Sequence, residues 1–333
     1  HSPAEFGVRG AWAAGVRARL PAEDREFLEQ SQLVGHVPFH WLYKLPVPKD
    51  GNTVLWSLGQ VPPAERLLLL APEPEMPQEI VGLLQSVTDR AKWAERDHVA
   101  LHAAYQQACD CGDAAKVPSA DGLKGMLDLW ANAEESGERF LEALRAFWEV
   151  FFAEEEERIS PVLQRALTQA QELAERLPLQ SLLEELTQGL RFEVLPEPER
   201  LVLAPSFWCT PLVYLGSIGE DRPILLFGAR PADASLVPGE AVPEGILRAL
   251  KALSDPTRLR IMHYLAQEPL SPAELSRRLR LRAPTVTHHL RTLRLAGLVN
   301  VRLGDGKATK TYSARFEAVS SAFDSLRSFL KQG

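Results

Sequence analysis

Residues 271–299 read SPAELSRRLRLRAPTVTHHLRTLRLAGLV, and this stretch decides the fold of the C-terminal part of the chain. Ser271, Pro272 and Glu274 have the spacing of a capping box, in which a serine and a glutamate three residues later start a helix together. Leu275 and Leu279 then lie four residues apart and predict a buried face. The beginning of the stretch therefore predicts a short helix that ends near residue 280.

A second helix is predicted to follow directly. Pro284 lies early in it, where a proline costs no internal hydrogen bond. Val286, Leu290 and Leu293 recur at steps of four and three residues, which predicts a single buried stripe. Gly297 ends the helix, because glycine readily takes the left-handed conformation that closes a helix.

The flanking segments complete the pattern. Upstream, Ser254-Asp255-Pro256 predicts the start of another helix. Downstream, residues 298–303 alternate as a strand does, residues 304–307 (Gly-Asp-Gly-Lys) have turn chemistry, and residues 309–314 form the returning strand. The C-terminal ninety residues are therefore predicted to form a helix-turn-helix with a β-hairpin wing. A last amphipathic helix follows, with the apolar residues Phe316, Val319, Phe323, Leu326 and Phe329.

The charge of the chain is divided unevenly. Residues 244–333 contain 16 Lys and Arg against 7 Asp and Glu, a net charge of +9, whereas residues 1–243 carry a net charge of -16. A compact basic region is the electrostatic signature of a protein that binds phosphates. The charge distribution therefore indicates nucleic-acid binding by the C-terminal part.

Three stretches resemble the winged-helix domain of the ArsR/SmtB family of bacterial transcription regulators. They are residues 250–261 (LKALSDPTRLRI), residues 285–299 (TVTHHLRTLRLAGLV) and the glycine-rich wing up to Tyr312. The resemblance covers about residues 245–330. It implies a homodimer that places one recognition helix per subunit in successive major grooves of an inverted repeat, with the wing on flanking phosphates or in the minor groove.

The resemblance also implies which residues contact DNA. The helix over residues 283–296 is expected to be the recognition helix. Thr285, Thr287 and His288 are expected to face the bases, and the cations to bind mainly phosphates. The complete predicted DNA-binding set is Arg282, Pro284, Thr285, Thr287, His288, Arg291, Lys307 and Lys310.

The usual metal sites of that family are not matched. The first helix of the predicted pair has no cysteine, and the last helix has Glu317 and Asp324 but no histidine. No metal site is therefore predicted. An alternative is a metal- or thiol-responsive sensor built from four other residues, although Asp110 and Asp113 oppose the thiolate form. These residues are His98, His102, Cys109 and Cys111.

The chain is predicted to contain an N-terminal region at residues 1–230, a linker at 231–243 and the winged domain at 244–333. The linker contains three prolines and a glycine, which disfavour helix and strand. The N-terminal region divides further into 1–75 and 76–230. It is expected to be largely helical, although 53–58 and 66–70 have strand character, and a helix is expected to begin at Ser160-Pro161.

The fold class is therefore predicted as α+β, mainly α, with a small antiparallel sheet in the N-terminal region. The strands of this sheet are expected at residues 192–195, 201–204, 212–216 and 224–227, which are apolar runs separated by prolines and glycine. The aromatic segment at 147–152 and the long helix after it resemble a subgroup of the same family that carries an N-terminal extension.

Further features exclude other classes. Three cysteines cannot form a disulfide framework, and the longest aliphatic run, residues 67–71, is too short for a membrane span or a secretory signal. A cytoplasmic protein without cofactor is therefore expected. We find no phosphate-binding loop, no Gly-x-Ser-x-Gly motif and no His-Glu-x-x-His motif, so no enzymatic activity is expected.

The predicted function is sequence-specific transcription regulation of the ArsR type. We expect a dimeric repressor of double-stranded DNA, controlled through its N-terminal region by a small-molecule or protein effector. A second alternative is a nucleoid or partner-binding protein that uses the winged helix without operator specificity.

Overall fold

The computed structural model describes most of the chain and is mainly helical. The described residues are 10–31, 37–70, 77–109, 117–192, 200–210, 212–219, 222–231, 234, 242–303 and 310–331. Among these residues no helix combines the length and the apolar character that crossing a bilayer requires.

The first half of the described chain is helical throughout. Its helices are α1 (Gly10–Arg19), α2 (Ala22–Ser31), α3 (Phe39–Lys44), α4 (Gly51–Gln60), α5 (Pro63–Arg66), α6 (Gln78–Arg90), α7 (Glu95–Cys109), α8 (Ala120–Ala131), α9 (Ala133–Phe147) and α10 (Ala153–Ala174). A 3₁₀ turn at Leu67–Leu70 follows α5, and a π-helical turn at Trp148–Phe152 joins α9 to α10.

The second half contains all the described strands. Its elements are α11 (Leu179–Leu186), β1 (Leu190–Phe192), β2 (Val202–Ser206), β3 (Tyr214–Ser217), β4 (Pro223–Gly228), α12 (Glu244–Leu253), α13 (Pro256–Leu265), α14 (Pro272–Leu279), α15 (Ala283–Leu295), β5 (Val299–Leu303), β6 (Thr311–Ala314) and α16 (Phe316–Lys331). The predicted fold class, α+β and mainly α, is confirmed.

The chain forms two compact units. The helical unit comprises Ala14–Arg158 and Gly216–Pro223, and the winged unit comprises His1–Ala13, Ile159–Leu215 and Ile224–Gly333. The winged domain predicted at 244–333 thus shares its compact unit with upstream elements. The predicted linker at 231–243 falls largely outside the described residues, which include only 231, 234, 242 and 243 of it.

The helical unit has its own hydrophobic core. In α6, Ile80, Leu84 and Val87 are fully buried, and their steps of four and three residues bring them to one face of the helix. They pack in the same cluster as Trp130 of α8 and Leu101 of α7. Burial of this apolar surface, rather than helix propensity alone, stabilises these helices.

The strand character expected at residues 53–58 and 66–70 is wrong. The first segment lies in α4, whose N-cap is Asp50, because the Asp50 carboxylate accepts a hydrogen bond from the Thr53 N–H at 2.8 Å. The second segment forms the end of α5 and the 3₁₀ turn after it. The capping aspartate satisfies a free helix N–H and so favours the helix over a strand.

The helix start expected at Ser160-Pro161 is also wrong. Helix α10 begins at Ala153, and Pro161 lies inside it. An internal proline removes one helix hydrogen bond and costs about 3 kcal/mol. Ile159 and Ala170 are buried on either side of the proline, and this packing offsets the cost.

The sheet predicted as antiparallel differs in its pairing. The strand order is β2-β4-β3, and β2 runs parallel to β4, with Val202 opposite Ile224 and Ser206 opposite Gly228. Strands that are second neighbours in sequence therefore pair in parallel. Helices α10 and α11 cover this sheet through a shared apolar cluster that includes Leu183 and Phe227.

The first expected strand, at residues 192–195, is represented among the described residues by β1, which joins a different sheet. Strand β1 pairs in parallel with β5, with Leu190 opposite Val301, and β5 pairs antiparallel with β6. The sheet of the wing therefore has the order β1-β5-β6 and includes a strand from the upstream region. Gly189 enters β1 with φ at +99°, a conformation that favours glycine.

Candidate nucleic-acid interface

Helix α14 forms the first half of the helix-turn-helix, and its predicted capping box is present. The Ser271 hydroxyl accepts a hydrogen bond from the Glu274 N–H at 3.3 Å, and the Glu274 carboxylate accepts one from the Ser271 N–H at 2.8 Å. Hydrogen bonds from Ser271, chiefly from its side chain and also from its backbone, lower the pKa of Glu274. The box therefore stabilises the helix start with an ionised glutamate.

A tight turn then redirects the chain towards the second helix. Arg280 closes α14 in the left-handed conformation, with φ at +56°. Leu275 and Leu279 are buried beneath the turn, in the same core as Val286 of the next helix. Because both helices bury their apolar stripes in one core, the turn holds them in a defined mutual orientation.

Helix α15 corresponds to the predicted recognition helix. Val286, Leu290 and Leu293 are completely buried, as their spacing predicts. Arg282 is the N-cap, but its side chain makes no capping hydrogen bond. The first turn of the helix therefore keeps backbone N–H groups that can bind a phosphate oxygen.

The exposed face of α15 carries the residues predicted to contact DNA. The side chains of this set that lie at the surface are Arg282, Pro284, Thr285, Thr287, His288 and Arg291. The fold brings them together on one helix and its N-cap, on the side opposite the buried stripe. Hydroxyl, imidazole and guanidinium groups arranged in this way can bind base edges and phosphates.

The adjacent histidines of α15 lie in different environments. His288 is exposed, whereas His289 is half-buried, and their rings lie 6.1 Å apart at 62°. Burial lowers the pKa of His289, although the negative charge of Asp255 opposes the effect. Protonation of His289 is therefore disfavoured, and His288 is the more exposed of the pair.

The predicted wing hairpin is present, and it adds cations to the site. Strands β5 and β6 pair antiparallel, Arg302 is exposed on β5, and Lys310 is exposed directly before β6. Lys307, predicted at the tip, lies outside the described residues, as do the neighbouring positions of the turn. The described part of the wing therefore extends the cationic surface from α15 onto the hairpin.

One residue of the recognition helix has a contact that the sequence analysis missed. Arg294 is largely buried and donates hydrogen bonds to the carbonyl oxygens of Gln188, at 2.7 Å, and of Thr187, at 2.9 Å. Burial, together with the charge of Arg315, lowers the pKa of Arg294 to about 10. A cation at the carboxyl end of α11 also interacts favourably with the helix dipole. Arg294 thus attaches the recognition helix to the upstream region.

The candidate metal ligands lie partly outside the described residues. Cys111 and the side chain of Cys109 are not described. His98 and His102 are half-buried on α7, and the His98 ring nitrogens lie 3.3 Å from the Ala120 carbonyl oxygen and 3.4 Å from the Glu95 carboxylate. Within the described part of the chain, no three His, Cys, Asp or Glu side chains are arranged to hold a metal ion.

Comparison with known proteins supports the helix-turn-helix assignment. A family model for the helix-turn-helix domain matches residues 253–302, which confirms the predicted C-terminal domain. The chain is also similar to the crystal structure of an ArsR family transcriptional regulator. The identity is 21%, the match covers 27% of this chain and 95% of that chain, and the TM-score is 0.23. No curated protein sequence matches the chain.

Proposed function

We propose that this protein is a DNA-binding transcription regulator that acts by binding rather than by catalysis. The observation that carries the proposal is the surface of α15, where Thr285, Thr287, His288 and Arg291 face solvent opposite a completely buried stripe. A major groove about 12 Å wide admits a helix with its side chains. Helix α15 enters that groove with its N-terminal half.

The residues of the surface divide into two roles. Thr285, Thr287 and His288 lie in the first turns of α15 and bind base edges, which determines the sequence that is recognised. Arg282, Arg291 and Lys310 bind phosphates and set the register of the protein on the duplex. The net charge of +9 in residues 244–333 supports this division, because non-specific affinity for DNA is largely electrostatic.

The protein binds DNA as a cytoplasmic homodimer through α16. Phe316, Phe323 and Leu330 are 58%, 45% and 69% exposed and recur every seven residues along this helix. Val319 and Leu326 lie between them at the spacing of a coiled-coil seam. A two-fold dimer presents two α15 helices to half-sites about one helical turn apart, so the operator is an inverted repeat. Occupation of such a site across a promoter represses transcription.

The upstream region controls this dimer through its attachment to the domain. Arg294 hydrogen-bonds the end of α11, and β1 pairs with β5 of the wing. A displacement of α11 would therefore shift both the recognition helix and the wing, which are the two elements that bind DNA. The effector, a small molecule or a protein, acts on this attachment.

Selection of bound duplexes from a random-sequence pool tests the proposal on the full-length chain. We expect one short sequence to be enriched twice in each selected duplex, as an inverted repeat. Salt-sensitive binding without any recurring sequence would instead indicate a nucleoid protein, since phosphate contacts alone carry no sequence information. A chain that retains no duplex at low salt would contradict DNA binding altogether.

A further inference from the structure

A large cleft lies within the winged unit, behind the DNA-binding surface. Its volume is about 600 Å³, within the range of small-molecule sites. Its walls are α10, α11, α12, the carboxyl end of α15 and the first turns of α16. A second lobe of about 350 Å³ shares Gln169, Glu185, Gln188 and Arg230 with it. The cleft is therefore bounded by upstream elements and by the helix-turn-helix domain together.

Arginines form the charged part of the cleft lining. Arg230, Arg248 and Arg315 line it, and Arg230 is 7% exposed. The two lining carboxylates, Glu185 and Glu317, belong to exposed residues. Because charges interact more strongly where water is excluded, the buried Arg230 guanidinium should attract an anion in the cleft more strongly than the two exposed carboxylates repel it.

Arg248 is half-buried, and the hydrogen-bonding capacity of its guanidinium is incompletely satisfied. Its Nη1 donates a hydrogen bond to the Leu295 carbonyl oxygen at 3.3 Å. Its Nη2 is buried and makes no hydrogen bond to the described residues, and the Glu244 carboxylate lies 3.6 Å from it. Burial lowers the pKa of Arg248, and this effect exceeds the opposite effect of the negative charge of Glu244. An anion in the cleft would supply the hydrogen bonds that Nη2 lacks.

Arg230 is held in position by its neighbours. Its Nη2 donates a hydrogen bond to the Thr210 carbonyl oxygen at 3.1 Å, and its guanidinium lies 5.9 Å from the centre of the Phe207 ring. The Arg230 N–H also donates to the Thr210 hydroxyl at 3.0 Å. A guanidinium fixed in this way binds an anion with little loss of side-chain entropy.

The remaining wall of the cleft accepts an apolar group. The small and apolar residues of this wall come from α12, α15 and α16. They are Ile246, Ala249, Leu295, Ala318 and Ala322. A ligand that matches both parts of the cleft has an anionic end and a hydrocarbon body.

We propose that this cleft binds a small organic anion, whose carboxylate or phosphate group pairs with Arg248 and Arg230 and whose apolar body packs against α12 and α16. The site adjoins the recognition helix, because Leu295, Ala296 and Gly297 at the end of α15 line it. An anion bound to Arg248 competes with the hydrogen bond from its Nη1 to the Leu295 carbonyl oxygen. Occupancy of the cleft therefore changes the position of α15. A shift of α15 should change the affinity for DNA. That expectation rests on the proposed function, whereas the binding of the anion does not.

Binding is measured by isothermal titration of the full-length chain without DNA. The probes are hexanoate, hexyl phosphate and the neutral analogue hexanamide. At least one anion is expected to bind, and the anion that binds more tightly identifies the head group. Hexanamide is expected to bind at least tenfold more weakly, because it lacks the charge that Arg248 and Arg230 compensate. Equal binding of hexanamide, or no binding of either anion, would overturn the proposal.

Variants locate the site. Arg248→Met keeps an unbranched apolar side chain but removes the guanidinium and its charge, and it should raise the dissociation constant of the anion about tenfold or more. Arg176→Met, in the turn after α10 with 71% of its side chain exposed, is the matched control and should leave it unchanged. If Arg248→Met does not fold, Arg230→Met, at the other arginine of the proposed pair, replaces it. Undiminished binding in the folded variant would show that the anion lies elsewhere.

The effect on DNA is measured separately, on the selected duplex. The anion that binds should change the affinity of the wild-type chain for this duplex at least threefold and leave that of Arg248→Met unchanged. Anion binding to a chain that binds no DNA would refute the proposed function but not the site. Unchanged DNA affinity with the site saturated would refute the coupling between the cleft and α15.

Discussion

Replacement of Arg291 by alanine tests how α15 binds DNA. Arg291 is exposed on the face of α15 opposite Val286, Leu290 and Leu293. Its truncation leaves the buried stripe intact, so the fold of the domain should not change. If the guanidinium binds a phosphate, its loss weakens binding to all duplex sequences alike.

The expected magnitude follows from counterion release. Each phosphate contact contributes about 0.9 to the slope of log K against log salt concentration. A dimer loses two contacts in Arg291→Ala, so the slope should become shallower by about 1.8. Between about 50 and 200 mM salt, the wild-type chain should therefore lose about tenfold more affinity than the variant.

The assay is fluorescence anisotropy with the selected duplex and with a scrambled duplex, each over a series of salt concentrations. Arg176→Ala is the matched control, because it removes another exposed arginine, which lies in the turn after α10 and not on the DNA-binding surface. Its slope should equal that of the wild-type chain on both duplexes.

Two results would refute this reasoning. An unchanged slope in Arg291→Ala would show that the guanidinium does not bind a phosphate. A loss of affinity confined to the selected duplex would show instead that Arg291 binds a base edge. Arg291 would then have the role that we assign to His288.

Four further predictions concern other parts of the winged unit. His288→Ala should change the sequence that a second selection enriches, and it should leave the slope of log K against log salt concentration unchanged in the anisotropy assay. An identical selected sequence would exclude a base contact by His288. Phe323→Lys should convert a dimer into a monomer in sedimentation equilibrium, whereas Ser328→Lys, also exposed on α16 but on the side of the helix away from the apolar seam, should not. Gly189→Ala should lower the free energy of unfolding in urea by about 1–3 kcal/mol, because alanine is strained at this φ and its Cβ would lie 2.1 Å from Asn300 Oδ1; Gly82→Ala in α6, where no atom lies within 4 Å, should cost nothing. His289 has a lowered pKa, so the unfolded state binds more protons below pH about 6.5, and stability should fall as the pH drops below that value; His289→Phe should remove this part of the pH dependence, and an unaltered pH profile would contradict it.

The helix-turn-helix could be predicted because its signals are local. The capping box of Ser271 and Glu274 and the spacing of Val286, Leu290 and Leu293 each depend on residues within one or two helical turns. The exposed face of α15 follows from the same spacing, since the residues opposite a buried stripe must face solvent. A local signal was also present at Asp50, which caps α4. The strand-like composition of residues 53–58 outweighed it in the prediction.

The pairing of the strands could not be predicted in this way. Strand β1 has only three residues, and its partner β5 lies more than a hundred positions later in the chain. The parallel pairing of β2 with β4 likewise depends on how the chain packs around the sheet, not on the composition of either strand. Sequence patterns predict which segments are extended, but the partner is chosen by tertiary packing.

Arg294 shows why a regulatory contact is harder to predict than a DNA contact. On the helix it lies next to Leu293 and four residues after Leu290, so it borders the buried stripe rather than the exposed face. In sequence it is one more cation in a basic region, and nothing local distinguishes it from Arg291. The acceptors of its hydrogen bonds, the Thr187 and Gln188 carbonyl oxygens, are backbone atoms and carry no sequence signal. A cation that binds phosphate and a cation that holds the recognition helix to the upstream region therefore become distinguishable only when the fold brings α11 against α15.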